Sequence, residues 1–208
     1  MIEQKLDTAI SESPYRQHLM ANFFNYCNGQ RVLEIAPLHG FHSELIVLNN
    51  PKSLTLVEPD PESTEILKIK FPAVEVFCDD IFNFYKKDYE VDVVVCCGLL
   101  YHLHSPLHLL ELIVNRSRPK LIIVDNTCVP NETETSCSYG YEFSNRPGNR
   151  FSSSKHIAKF NCTLPYNIMK LAFRDMEYSE QLIDKNLVRF GISEKTGFMA
   201  VYRRAYHY

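Results

Sequence analysis

The chain reads as an α/β protein built on a doubly wound parallel sheet, and three observations predict this. Strand-like and helix-like stretches alternate from Arg31 to Asn126. Val91–Gly98, VDVVVCCG, is a near-continuous run rich in β-branched residues, the pattern of a parallel strand buried on both faces. The first two strands, RVLEI and LTLVE, carry acids at Glu34 and Glu58 near their ends, at the edge where open α/β sheets take ligands. Helices between parallel strands require right-handed crossovers, so they cover both faces of the sheet.

At 208 residues, a single domain over residues 1–208 is expected, burying about 70% of the unfolded chain's surface. Residues 1–30 supply N-terminal helices, Ile2–Ser11 and Tyr15–Asn28, divided at Pro14. The second sets Leu19, Met20, Phe23, Phe24 and Cys27 on one broad face and stops at Gly29. Arg31–Gly40, RVLEIAPLHG, is a buried strand that breaks into a turn. It feeds a helix over Phe41–Asn49 with apolar Phe41, Leu45, Ile46 and Leu48. Glu34 has no packing reason to lie in that strand. A strand–turn–helix unit points backbone N–H groups over the turn, where they can hold an anionic group.

Ser53–Asp60 is a second strand, stopped by Pro59 and Pro61, and Glu62–Lys70 is the next helix. Ala73–Cys78 is a third strand, followed by Asp79-Asp80-Ile81. An Asp there also suits the N-cap of a turn over Ile81–Tyr85. The fourth strand, Val91–Gly98, runs into Leu99–Pro106, and Pro106 suits the start of a helix over Leu107–Asn115. Lys120–Asn126, KLIIVDN, is the fifth strand and puts Asp125 and Asn126 at its carboxyl end. The composition then changes. Thr127–Thr163 is rich in Ser, Asn, Thr, Gly and Pro, with interleaved Tyr139, Tyr141, Phe143 and Phe151 and the bases Arg146, Arg150, Lys155 and His156. A connection this long is a lid or a linker, and the aromatics favour a substrate-facing lid over residues 127–163, with a short helix near Ser152–Phe160. A helix over Pro165–Arg174 and a hairpin of Tyr178–Leu187 with Phe198–Tyr206 complete the chain.

Composition excludes several classes. Hydrophobic residues are 45% and charged residues 23%, ordinary for a globular protein. No apolar run is long enough to span a bilayer, and the N-terminus lacks a basic-then-apolar signal pattern. Seven cysteines, two of them adjacent at Cys96 and Cys97, suit reduced core thiols and a cytoplasmic protein. The net charge of −3 argues against a broad phosphate-tracking surface. His102 and His104 alternate, with Asp125 as a conceivable third ligand, but no further ligand pattern accompanies them and no metal is expected.

RVLEIAPLHG resembles motif I of the class I S-adenosylmethionine (SAM) methyltransferases, E/D-x-G-x-G-x-G. Glu34 and Gly40 match, while Ala36 and Leu38 stand at the first two glycines. CCGLLYHLHSP resembles the G-x-L-Y-H-L-x-x-P motif of a subgroup that includes carboxymethyltransferases of tRNA wobble uridine and many small-molecule methyltransferases. The resemblance implies a Rossmann-like sheet of seven strands, order 3-2-1-4-5-7-6, with an antiparallel last strand. It implies SAM as cofactor, held by Glu34, Ala36, Gly40, Glu58, Asp79 or Asp80, Cys97 and Gly98. Glu58 would meet the ribose diol, since a carboxylate accepts two hydrogen bonds at once, although an acid there also suits a helix N-terminus. Asp79 or Asp80 would face the adenine amino group. Tyr15 and Arg16 either reach the SAM carboxylate or sit on the surface.

His102 and Tyr101 are the catalytic candidates, with His102 either a base or a residue holding the loop. Asn126, Tyr139, Tyr141, Arg150 and His156 are substrate-side candidates by position. Ala36 adds only a methyl group, tolerable where φ is negative, and Leu38 either narrows the pocket or points into the core. A nicotinamide site would show G-x-G-x-x-G, and its pyrophosphate would be repelled by these acids. The expected activity is transfer of the SAM methyl group to an O or N atom of a small molecule by in-line displacement. The alternatives are an RNA (tRNA) methyl- or carboxymethyltransferase, for which nucleic acid is a less favoured partner, and a non-catalytic partner subunit.

Overall fold

The computed structural model describes residues 14–127, 138–141, 160–163, 166–188 and 196–205. The strands in chain order are β1 (Arg31–Ile35), β2 (Ser53–Glu58), β3 (Glu75–Cys78), β4 (Val93–Cys97), β5 (Leu121–Thr127), β6 (Ser138–Tyr141), β7 (Phe160–Thr163), β8 (Tyr178–Val188) and β9 (Thr196–Arg204). The helices are α1 (Pro14–Asn22), α2 (Phe41–Leu48), α3 (Pro61–Lys70), α4 (Ile81–Phe84), α5 (Pro106–Leu112) and α6 (Tyr166–Asp175).

Seven strands form one sheet in the order β3-β2-β1-β4-β5-β9-β8, and β6 and β7 form a separate antiparallel pair. β1 to β5 are parallel, and β9 runs antiparallel to β5. Leaving out the small pair, this is the expected order 3-2-1-4-5-7-6 with its last strand reversed. The winding changes direction between β1 and β4, which makes that junction the topological switch point.

The register sorts the side chains. Val32, Leu54 and Val93 are level with one another, as are Glu34, Leu56 and Val95. All of them face α2, α3 and the N-terminal segment, where Leu19, Phe23, Phe24, Leu45, Ile46 and Leu67 are buried. Leu33, Ile35, Val57, Val94, Cys96 and Val124 face the other way, onto α4, α5 and α6. Both faces of the central strands are therefore apolar, as the β-branched run predicts. Helix starts follow local chemistry. Asp60 caps α3 by accepting the Ser63 N–H at 2.8 Å, with Pro61 in the first turn. Asp80 caps α4 by accepting the Phe82 N–H at 2.9 Å.

Two expectations are corrected. The helix expected over Tyr15–Asn28 ends at Asn22 and continues as a 3-10 turn, Phe24–Cys27, which buries Phe24 and Cys27 together. The insert carries the β6–β7 pair, which no simple alternation announces. Of the short helix expected near Ser152–Phe160, residues 152–159 lie outside the described residues, and Phe160 opens β7. Ile2–Ser11 also lies outside them. Among the described residues, no helix is long and apolar enough to cross a membrane.

At the opposite edge of the sheet, Asp92 ties β1 to the start of β5. Its carboxylate accepts from Arg31 Nε at 3.0 Å, from the Arg31 N–H at 3.0 Å and from Lys120 Nζ at 3.0 Å. These donors hold the Asp92 carboxyl far below its ordinary 3.8. A depressed carboxylate stabilises the fold above its unfolded value and loses that contribution as pH falls through its folded value. Asp92→Asn is expected to cost about 1–2 kcal/mol near neutral pH, discounted because Arg31 and Lys120 are half-exposed. The variant should also lose part of the acid limb of the stability curve, as urea unfolding across the pH range will measure.

Candidate functional site

The turn between β1 and α2 is the centre of the site. Ala36 has φ 53°, Leu38 φ 54° and Gly40 φ 78°, so alternate residues are left-handed. For a residue with a Cβ this costs about 1–2 kcal/mol, so the surroundings must hold it. The condition set above for Ala36, a negative φ, is not met. The loop keeps a glycine-like path without its first two glycines. Leu38 is 41% exposed, and it neither enters the core nor lines the cleft described below. Gly40 has a second constraint, because a Cβ there would lie 2.6 Å from the Phe71 ring.

Two acids stand beside the loop on the same face of the sheet. Glu58 Oε2 accepts the Leu38 N–H at 2.9 Å and Oε1 accepts the Asp60 N–H at 3.0 Å. Glu58 is buried, and burial raises its carboxyl above the usual range despite these two donors. A carboxylate offers about four lone-pair positions, and both oxygens of Glu58 are already used within the fold. Glu34 is 1% exposed and accepts from Ser43 Oγ at 2.5 Å. Burial pushes its pKa up to about 8, against the pull of Ser43, with the nearby Glu58 charge adding to the rise.

On the other face, a shallow apolar cleft, open to solvent, lies over the ends of β1, β2 and β4 and is lined by Ile35, Ala36, Val57, Pro59, Asp80, Ile81, Phe82, Leu99 and Leu103. Asp80 is the one carboxylate among these walls, and it caps α4 at the same time. Asp79 accepts the Asp80 N–H at 2.9 Å and Asn83 Nδ2 at 2.7 Å, so it braces the turn instead of lining the cleft. Cys97 is buried at the end of β4, and Gly98 is left-handed at φ 77° and donates its N–H to the Asp125 carbonyl at 3.3 Å.

Tyr101 and His102 are half-buried on the 3-10 turn Leu100–His102, between the cleft residues Leu99 and Leu103, with their rings 4.3 Å apart. β7 packs against this turn, so the insert reaches the end of β4. Asn126 is in β5 level with Phe198. Tyr139 and Tyr141 are in β6, level with Cys162 and Phe160. Arg150 and His156 lie outside the described residues. Tyr15 and Arg16 are in α1, which packs beside α2, and their side chains are not described.

The sequence reading missed Ser43 and Lys70. Ser43 is one turn into α2, and its link to Glu34 shows only once that helix folds over β1. Lys70 ends α3, donates to the His39 carbonyl at 3.0 Å and pairs with Glu44. No local pattern joins it to a turn 31 residues away.

No family model and no curated protein matches the chain by sequence. Solved structures match it by shape, and they place its fold among those of class I SAM-dependent methyltransferases. The N-terminal domain of EvdMO1, crystallised with SAH and D-fucose, is 18% identical with a TM-score of 0.69, covering 93% of this chain and 84% of that one. The 1,6-didemethyltoxoflavin-N1-methyltransferase of Burkholderia thailandensis, with its substrate and S-adenosylhomocysteine, is 12% identical at 0.67, covering 98% of this chain and 84% of that one. The [4+2]-cyclase SpnF is 10% identical at 0.61, covering 92% of this chain and 82% of that one.

Two outcomes test this geometry. Gly40→Ala should destabilise the protein by more than about 1 kcal/mol, as thermal unfolding will measure, because it adds a left-handed alanine and an overlap with Phe71. A group whose folded pKa is raised contributes stability below its unfolded value and loses it as pH rises through its folded value. For Glu34 the window runs from 4.5 to about 8. Glu34→Gln should flatten the pH dependence of the unfolding free energy there, by roughly 1 kcal/mol per pH unit.

Proposed function

We propose that the protein is a SAM-dependent methyltransferase that transfers the methyl group to an O or N atom of a small molecule, acting as one unit over residues 1–208. The observation that supports this best is the left-handed backbone at Ala36 and Leu38. A strained path kept without the glycines that make it easy points to a function for the path itself. The fit of the neighbouring groups agrees. The cleft is apolar with one carboxylate, Asp80, suited to a purine carrying an exocyclic amine. Glu58, aimed by two backbone donors, suits a vicinal diol. The loop Ala36–Gly40 lets a ligand approach the backbone closely, and a cationic ligand beside Glu58 would draw its raised carboxyl toward the charged form. SAM has all four features.

When bound, SAM supplies a methyl group already activated by its positive sulfur. The chain's own residues then have to position the acceptor and exclude water. Alignment for in-line attack can remove about 7–11 kcal/mol of barrier. Tyr101 and His102 sit beside the cleft and under β7, where an acceptor would be enclosed. His102 takes a proton where the acceptor loses one. Tyr139, Tyr141, Asn126, Arg150 and His156 are proposed to face the acceptor. EvdMO1 was crystallised with D-fucose and the toxoflavin enzyme with 1,6-didemethyltoxoflavin, which supports a small acceptor.

Calorimetry with SAM and S-adenosylhomocysteine tests the proposal. Saturable binding is expected, weakened at least about tenfold in Glu58→Ala. Folded wild-type protein that takes up neither ligand at about 1 mM would refute it. Binding without methyl transfer to any of a panel of hydroxylated and amine acceptors would favour the non-catalytic partner or another chemistry on the same fold.

A further inference from the structure

We infer that Lys70 is a positioning residue for the cofactor loop, holding Ala36–Gly40 in its left-handed path in place of the two missing glycines. The inference rests on the cofactor reading above but goes beyond it, because it assigns a role to a residue on a different helix. Three contacts carry it. Lys70 Nζ donates to the His39 carbonyl at 3.0 Å, between the left-handed residues Leu38 and Gly40. It pairs with Glu44, in the first turn of α2 immediately after the loop. It also lies 5.5 Å from the centre of the Phe71 ring, the ring that leaves no room for a side chain at Gly40. Lys70 is 28% exposed and Glu44 13%, so this pair is shielded more than an ordinary surface ion pair.

These contacts complement Glu58. Glu58 pulls the Leu38 N–H toward β2, and Lys70 pulls the His39 carbonyl toward the end of α3. The peptide groups on either side of the Leu38–His39 peptide are thus gripped by opposite charges. That opposing grip restrains the peptide planes, which is what a residue with a Cβ needs to stay left-handed. With glycines at positions 36 and 38 the backbone would visit that region freely, and the grip would matter less. Lys70 therefore acts through the loop and not by touching the ligand, and its effect depends on Ala36 and Leu38.

The experiment compares wild type, Lys70→Met, Lys70→Arg, Ala36→Gly/Leu38→Gly and that double-glycine protein with Lys70→Met added. The readouts are SAM affinity by calorimetry and, in ligand-free protein, amide hydrogen exchange at Leu38. Lys70→Met should weaken SAM binding about tenfold and speed Leu38 exchange by a similar factor, Lys70→Arg should restore most of both, and the glycine background should absorb most of the loss. An equal loss in the two backgrounds would overturn the inference, because Lys70 would then touch the ligand or support the fold generally. So would unchanged Leu38 exchange in Lys70→Met. If wild type binds SAM and Lys70→Met binds it equally well, only this inference fails. If wild type does not bind, the cofactor reading fails, and this inference with it. Should Lys70→Met not fold, Glu44→Gln, which removes the partner of Lys70, carries the same two readouts and the same opposing outcomes.

Discussion

The five residues between β1 and α2 have to climb off a buried strand, pass over the switch point and enter a helix that returns along the same face. That path needs left-handed backbone at alternate positions, and only one of the three is a glycine. The remaining strain has to be held by groups outside the loop. Glu58 comes from β2, Phe71 and Lys70 come from the end of α3, and Ser43 and Glu44 come from the first turn of α2. The β2–α3 unit therefore does more than cover β1. It forms the frame in which the loop is set, so the geometry of the candidate site depends on packing laid down some 20 to 30 residues further along the chain.

The same frame sets the electrostatics. Glu34 and Glu58 are raised mainly by burial, and the hydrogen bonds from Ser43 and from two backbone N–H groups offset only part of that. Burial leaves these two acids less charged at neutral pH than surface carboxylates, and a cation placed beside them would draw both back toward the charged form. Asp80 is on the opposite face, in the apolar cleft. The acids thus divide across the sheet edge, two beside the loop and one in the cleft.

The parallel sheet was legible because burial on both faces leaves a plain mark. VDVVVCCG could hardly be anything but a central strand, and the acids closing RVLEI and LTLVE marked the edge that matters. Glu34 and Glu58 were found for the same reason, as charges where packing offers no excuse for them. The sequence leans only slightly to Asp80 over Asp79, on the apolar Ile81 that follows it, since one residue of register decides which lines the cleft and which braces the turn. Ala36 was misjudged because side-chain size is visible in a sequence while φ is not. Lys70 and Ser43 were invisible because their contacts join segments that meet only after folding. The β6–β7 pair was missed because its strands have four residues each, too few to show a period.

The placement of that small pair bears on chemistry more than on fold. β7 rests on the turn carrying Tyr101 and His102, so the ceiling over the end of β4 is made by the least patterned part of the chain. A parallel sheet with this switch point hosts more than one kind of reaction, and the fold alone does not choose among them. The loop, Glu58 and the cleft decide what is held at the switch point. On the proposed function, the loop and its β1–α2–β2–α3 frame would bind the cofactor, while the turn carrying Tyr101 and His102, with β7 beside it, would bear on the choice of acceptor. Substitutions in the insert should therefore be able to change the acceptor while leaving the grip on the loop as it is.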